Sequence, residues 1–272
     1  MVEPIRLTGA QETLLATLQA RAIDNRRPDP VLGDGMAEEV LGRLDYDFRR
    51  LRTGAKDERT VTFRAKKLDE WTRQFLIEHE ATGATVLHLA CGLDSRAFRL
   101  DLPAGVEWID VDQPDVIELR EQLYPKPPGY RTIATSVTRS EWLGKIPDDR
   151  PALVIAEGLT PYLQKADGEE MLRRLTHRLP TGRMIFDAVL PWTLGFAKYS
   201  QLLRATGASF HWGVGDPREL ERLVPGLRFV EQWSLYDSPY LRTASPLERL
   251  VGAVAGRVPA LRFAHRILDY RF

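Results

Sequence analysis

The sequence predicts an α/β fold: a doubly wound, mostly parallel sheet behind an N-terminal helical cap. Three observations carry that reading. From residue 84, apolar runs at 85–90, 106–111, 131–135, 152–156 and 183–189 alternate with helical spacings around 94–99, 114–123, 139–144 and 167–178, the rhythm of successive βαβ units. The stretch from Thr85 to Arg96, TVLHLACGLDSR, passes from a strand through Cys91-Gly92 into a helix near Asp94. Such a passage brings backbone and a helix N-terminus against a ligand. Further on, VEWIDVD (Val106 to Asp112) is a second strand ending in a carboxylate, where a doubly wound nucleotide fold places the acid that holds a ribose.

Ahead of the sheet, residues 1–80 carry helical spacings only: Leu14, Leu15, Leu18 and Ala22; then Val40, Leu41, Leu44 and Phe48; then Leu68, Trp71 and Phe75. The segment DNRRPDPVLGDG (Asp24 to Gly35) between the first two reads as a solvated loop. No strand signal precedes residue 84. The expected organisation is a helical cap over 1–80 and a sheet domain over 81–272. Within the latter, residues 191–225 break the rhythm with PWTLGFAKYSQLL and GASFHWGVGD. This aromatic insertion, read as helical, suits a lid or substrate wall. A strand follows near Arg228 to Leu235. The tail from Pro246 to Phe272 has helical apolar spacing broken at Pro259 and reads as a packed helix edge rather than a membrane-surface helix.

Composition narrows the function classes. Hydrophobic residues make up 43% of the 272, enough for a full core, and 38 basic residues balance 38 acidic ones. Without a net field, neither nucleic acid nor a membrane surface is an expected partner. The lone Cys91 excludes an internal disulfide and suits a reducing compartment. The start, MVEPIRLTGAQE, lacks the apolar core of a signal peptide, and no apolar run reaches spanning length. A soluble cytoplasmic protein is expected, with homo-oligomerisation left open.

Five segments, in order and spacing, resemble the leucine carboxyl methyltransferase superfamily. They are ARAIDNRRPDPVLGD (20–34), TFRAKKLDEW (62–71), LHLACGLDSRAFRL (87–100), WIDVDQPDVIELR (108–120) and VIAEGLTPYL (154–163). The similarity is greatest to the branch that includes the tetracenomycin-type polyketide O-methyltransferases. The resemblance implies a seven-stranded Rossmann-like sheet, S-adenosylmethionine (SAM) as cofactor, and methyl transfer to a hydroxyl or carboxylate of a small molecule, polyketide-like or aromatic.

Residue by residue, Arg64 matches the arginine that grips the methionine carboxylate, a task for a planar, permanently charged donor capable of bidentate contact. Ala90, Cys91 and Gly92 match the loop along the amino-acid part of the cofactor. The family has glycine where Ala90 stands, and alanine is expected to hold only negative φ there. Cys91 has no partnered histidine in sequence and reads as a small packed residue. Asp112 matches the ribose acid; Asp110 is its competitor, but Pro114 two residues after Asp112 fits the family pattern. Ser136 and Val137 map to the adenine segment, and Glu157 to the acid beside the methionine amino group.

For catalysis the candidates are His211, in the aromatic insertion, as a general base, and Tyr162, which either faces substrate or packs. His88 and His177 read as structural, and His79 and His265 have no partner visible in sequence. No spacing suggests a metal site. Three alternatives stand beside this reading. One is a protein C-terminal carboxyl methyltransferase. The second is an NAD-dependent oxidoreductase, although Arg96 or Ala97 stands near the place of its third glycine. The third is a non-catalytic SAM-binding protein.

Overall fold

A computed structural model describes residues 3–4, 7, 9–51 and 54–272. Seven strands form one sheet: β1 (Ala84–Leu89), β2 (Val106–Asp112), β3 (Tyr130–Ala134), β4 (Ala152–Ala156), β5 (Gly182–Val189), β6 (Arg228–Ser234) and β7 (His265–Arg271). Their spatial order is β3-β2-β1-β4-β5-β7-β6. The first five pair in parallel, and β7 inserts antiparallel between β5 and β6. The order reverses at β1, so the carboxyl ends of β1, β2 and β4 frame the crevice where such sheets bind ligands.

Strand periodicity divides the core between the two faces. On one face Leu87, Leu89, Ile109, Val154 and Phe186 pack beneath Met171, Leu172 and Leu175 of helix α6 (Lys165–Arg178). On the other, Val86, Trp108, Ile155 and Ile185 meet Leu68, Trp71 and Phe75 of α3 (Ala55–Glu78). Both faces are covered, which explains why the central strands read as unbroken apolar runs.

The N-terminal region is helical in α1 (Thr13–Asn25), α2 (Gly35–Leu41) and α3, with two departures. A two-residue parallel pair, Glu3–Pro4 with Leu44–Asp45, precedes the sheet, and it places Leu44 outside the helix expected over 40–48. The segment 24–35 is not simply solvated. Asp24 is buried and accepts the backbone N–H groups of Val31, Leu32 and Gly33, while Asp34 is buried, caps α2 through Ala37 and accepts from Ser95 Oγ. Leu15 and Leu18 of α1 share a core with Leu93 and with Leu119 and Leu123 of α5 (Pro114–Leu123). The helical region and the sheet are therefore held by common apolar surface.

Three further expectations change. The helix near Asp94 is a single turn, α4 (Arg96–Arg99), and the one over 139–144 is a 3-10 stretch at Glu141–Lys145. The insertion is only partly helical: α7 (Leu194–Ala197), α8 (Gln201–Thr206) and α9 (Glu219–Leu223) alternate with extended chain. The tail is not all helix edge. After α10 (Pro246–Ala255) and α11 (Pro259–Arg262) it returns as β7, whose Ile267, Leu268, Asp269 and Tyr270 are buried. Its charges hid it, because Arg183 grips Asp269 with two nitrogens at 2.8 and 2.7 Å inside the sheet.

Candidate active site

A cavity of 580 Å³ opens at the carboxyl ends of β1, β2, β4 and β5, roofed by α1, α3 and the insertion. Of the ten residues singled out in sequence, Arg64, Ala90, Cys91, Gly92, Asp112, Ser136, Val137, Glu157 and Tyr162 line it. His211 does not. Chain extension explains the miss: Phe210 faces the cavity, Trp212 is buried in the core, and the intervening His211 side chain turns out to solvent. Only its backbone N–H is engaged, by Pro161 O at 2.7 Å.

The β1 turn shapes one wall. Gly92 has φ +53, and its N–H donates to Asp112 Oδ2 at 2.8 Å. A Cβ there would stand 3.2 Å from Leu14 of α1, so glycine lets the cap approach the turn. Ala90 departs from expectation: it too is left-handed, at φ 50, the one non-glycine residue among those described to be so. An L-residue in that region carries strain of about 1–3 kcal/mol. Cys91 is buried, and burial pushes its thiol well above the ordinary range, which removes it as a nucleophile.

Asp112 ends β2 at the cavity wall. Burial raises its pKa to about 6 against the opposing pull of the Gly92 and Gln113 N–H groups. Each carboxylate oxygen accepts one backbone N–H, at 2.8 and 2.7 Å, and has capacity for another donor. Asp110 is fully buried and outside the cavity wall, paired with Arg120 at 2.5 Å and accepting from Trp108 Nε1 and Tyr130 OH. Asp110 is thus committed to partners within the protein, whereas Asp112 borders the cavity.

Beside the β4 end a chain of alternating charge runs through the buried floor. Arg64 Nε donates to Glu157 Oε1 at 3.0 Å and its Nη1 to Asp187 Oδ2 at 2.9 Å. Glu157 Oε2 in turn accepts from Arg96 Nη2 at 2.6 Å, and Arg96 Nε donates to Asp69 at 2.6 Å. Burial would raise the acids, but Arg64 and Arg96 outweigh it for Glu157, as Arg64 does for Asp187; both stay ionised. Arg64 Nη2 has no hydrogen-bond partner among the described residues and is the guanidinium nitrogen left for an anion.

Asp187 and His265 were missed in sequence. Asp187 is the single charge in the β5 run MIFDAV, a signal that could have marked it. It accepts from Gly158 N–H at 2.6 Å and lies 2.8 Å from His265 Nε2. His265 heads β7, which was read as helix. The far end of the cavity is apolar and aromatic, with Val189, Leu202 and Ala264 beside Phe210, whose ring meets Tyr162 edge-on at 5.0 Å.

These residues suit a zwitterionic nucleoside ligand. Arg64 Nη2 offers a donor to a carboxylate, Glu157 a partner to an ammonium group, Asp112 free lone pairs to a diol, and the Gly92 turn close backbone approach. Among the described residues no His/Cys/Asp/Glu cluster could hold a metal ion. Among the described residues no helix is long and apolar enough to cross a membrane.

A model of the leucine carboxyl methyltransferase family matches residues 14–176. Over all of both chains the sequence is 68% identical to the tetracenomycin polyketide synthesis O-methyltransferase TcmP of Streptomyces glaucescens. It is 40% identical to the S-adenosyl-L-methionine-dependent methyltransferase dpfgK of Gibberella zeae, covering 84% of this chain and 83% of that one. Among solved structures, a putative methyltransferase from Thermobifida fusca superposes with a TM-score of 0.57 at 16% identity, covering 93% of each chain. At that identity the likeness concerns the fold.

Proposed function

The chain belongs to the leucine carboxyl methyltransferase family and is a SAM-dependent O-methyltransferase; we propose that its acceptor is a planar, largely apolar small molecule of the polyketide or aromatic kind. The observation that carries the reading is the polarity of the cavity. One half, under β1, β2 and β4, holds the charged and hydrogen-bonding groups that fit the cofactor. The other, between β5, β7 and the insertion, is lined mainly by apolar and aromatic side chains. A flat hydrophobic acceptor matches that wall. A charged protein terminus does not.

In this reading Arg64 holds the methionine carboxylate, Glu157 the amino group, Asp112 the ribose hydroxyls, and Ser136 and Val137 the adenine. Ala90, Cys91 and Gly92 supply the backbone wall. When bound, the cofactor supplies an activated methyl group on a sulfonium. The work of the protein is then alignment and exclusion of water. Residues 1–80 act as a cap: Gln11, Thr13, Leu14 and Thr17 close the cavity from above, and Gly92 meets Leu14. Residues 191–225 form the acceptor-side wall, and Tyr162 stands between the two halves.

Calorimetry with SAM, S-adenosylhomocysteine (SAH) and NAD tests the cofactor half. Tight binding of both sulfur nucleosides and none of NAD is expected. Turnover with aromatic acids or phenols, and none with C-terminal peptides, supports the acceptor class; the reverse would refute it.

A further inference from the structure

With the cofactor half assigned, Tyr162, Asp187 and His265 are titratable side chains lining the cavity toward the acceptor half. The Tyr162 hydroxyl lies 3.5 Å from Thr13 Oγ1, and burial raises its pKa, so it is a poor base. His265 is built differently. Asp187 Oδ2 lies 2.8 Å from its Nε2, and the other ring nitrogen, Nδ1, has no hydrogen-bond partner among the described residues. The ring is partly exposed, and it lines the cavity.

Asp187 does not need the imidazole for its own satisfaction. It already accepts from Arg64 Nη1 on α3 and from the Gly158 N–H after β4. Because Arg64 keeps it ionised, Asp187 can only accept, and Nε2 must be the protonated nitrogen. That fixes the ring and its tautomer, leaving Nδ1 a lone pair when the ring is neutral. Backbone placement is equally fixed, since His265 pairs with Val189 where β5 ends at the cavity. The charged groups around the ring are Asp187 and Arg64, with Glu157 behind Arg64.

We propose that His265 meets the reacting oxygen of the acceptor through Nδ1, with Asp187 as its positioning residue; this rests on the methyl-transfer reading above. The oxygen forms its bond to the methyl carbon as the carbon–sulfur bond breaks, and the bonding pair stays on sulfur as a neutral thioether. With a hydroxyl acceptor, the displaced proton passes to Nδ1 and then to water. With a carboxylate acceptor no proton is lost, and the ring serves in its protonated form as a donor to the carboxylate. Both are the same contact, and they differ in the sign of their pH dependence.

The test uses the full chain loaded with SAH, its histidines labelled with nitrogen-15, and 3-hydroxy-2-naphthoate as a planar probe bearing both kinds of oxygen. The expected spectrum shows a proton on His265 Nε2, with the ring resonances moving as the probe is added. His265→Asn should retain SAH affinity while weakening the probe by about tenfold or more, the loss of one charge-assisted hydrogen bond. It should also abolish one limb of the kcat/KM–pH profile with any acceptor that turns over. A limb that rises with pH identifies a hydroxyl acceptor, and one that falls identifies a carboxylate. A ring that carries its proton on Nδ1 and none on Nε2, or one unmoved by millimolar probe, overturns the proposal even if His265→Asn fails to fold. Failure of the wild-type chain to bind SAH at all would instead refute the cofactor assignment.

Discussion

Arg64 and Asp187, separated by 123 positions, meet at 2.9 Å beneath the cavity, and the same guanidinium reaches Glu157 at 3.0 Å. The arginine expected to hold a cofactor carboxylate thus also neutralises two buried acids of the protein itself. Arg64→Ala should do two kinds of damage. Leaving Asp187 buried without its guanidinium, and Glu157 with Arg96 alone, should destabilise the fold by about 3–5 kcal/mol, measured by urea denaturation. SAH affinity should fall by about two orders of magnitude in calorimetry, as a charge-assisted contact is lost. A variant of normal stability and normal affinity would refute both roles.

Ala90 at φ 50 stores strain that glycine would release. Ala90→Gly should raise stability by about 1 kcal/mol and leave SAH affinity equal or tighter, because the turn keeps its shape at lower cost. Ala90→Val should lose stability, since a β-branched residue is disfavoured there. A destabilised glycine variant would mean that the alanine methyl, which packs against the core beside the turn, is worth more than the strain.

Legibility in the sequence followed the environment of each residue. The strands buried on both faces declared themselves as apolar runs; VIA before Glu157 and LHL before Gly92 are the clearest. β7 did not, because Arg266, Asp269 and Arg271 interrupt it; Asp269 is neutralised by Arg183 across the sheet, and Arg266 donates to the Val214 carbonyl of the insertion. His265 was invisible for the same reason, its partner Asp187 lying 78 positions away. His211 was attractive because its neighbours are aromatic, yet the side chain facing the cavity is the one before it. Composition located the wall, but not which residue of an extended segment points inward.

Among the contacts that hold the insertion to the sheet domain, one is a close approach of Trp212 to Gly168. A Cβ at Gly168 of α6 would lie 2.1 Å from the Trp212 ring, which is buried against that helix. Gly168→Ala favours helix locally by about 1 kcal/mol, but the clash should outweigh this and cost about 1–3 kcal/mol by overpacking. The acceptor KM should rise more than the SAM KM, since Phe210, two residues before Trp212, belongs to the acceptor wall. Equal changes in both, or a stabilised variant, would argue that the segment 207–216 is not a substrate wall.

Asp112 should make cofactor binding depend on pH. Burial lifts its free-protein pKa to about 6, so the acid is partly protonated in mildly acidic solution. Two ribose hydroxyls donating to it favour the ionised form and lower its pKa in the complex. The sign follows: binding releases a proton near the lower pH, and the association constant for SAH should rise about tenfold per unit as pH increases toward 6, then level off. In the empty protein the raised pKa acts oppositely, favouring the folded state at low pH and losing that contribution as pH rises through about 6. Calorimetry between about pH 5 and pH 8, in two buffers of different ionisation enthalpy, measures affinity and proton release together. Asp112→Asn should bind more weakly above pH 6 and show no proton release from this site. Proton release unchanged in that variant would move the ribose contact to another residue.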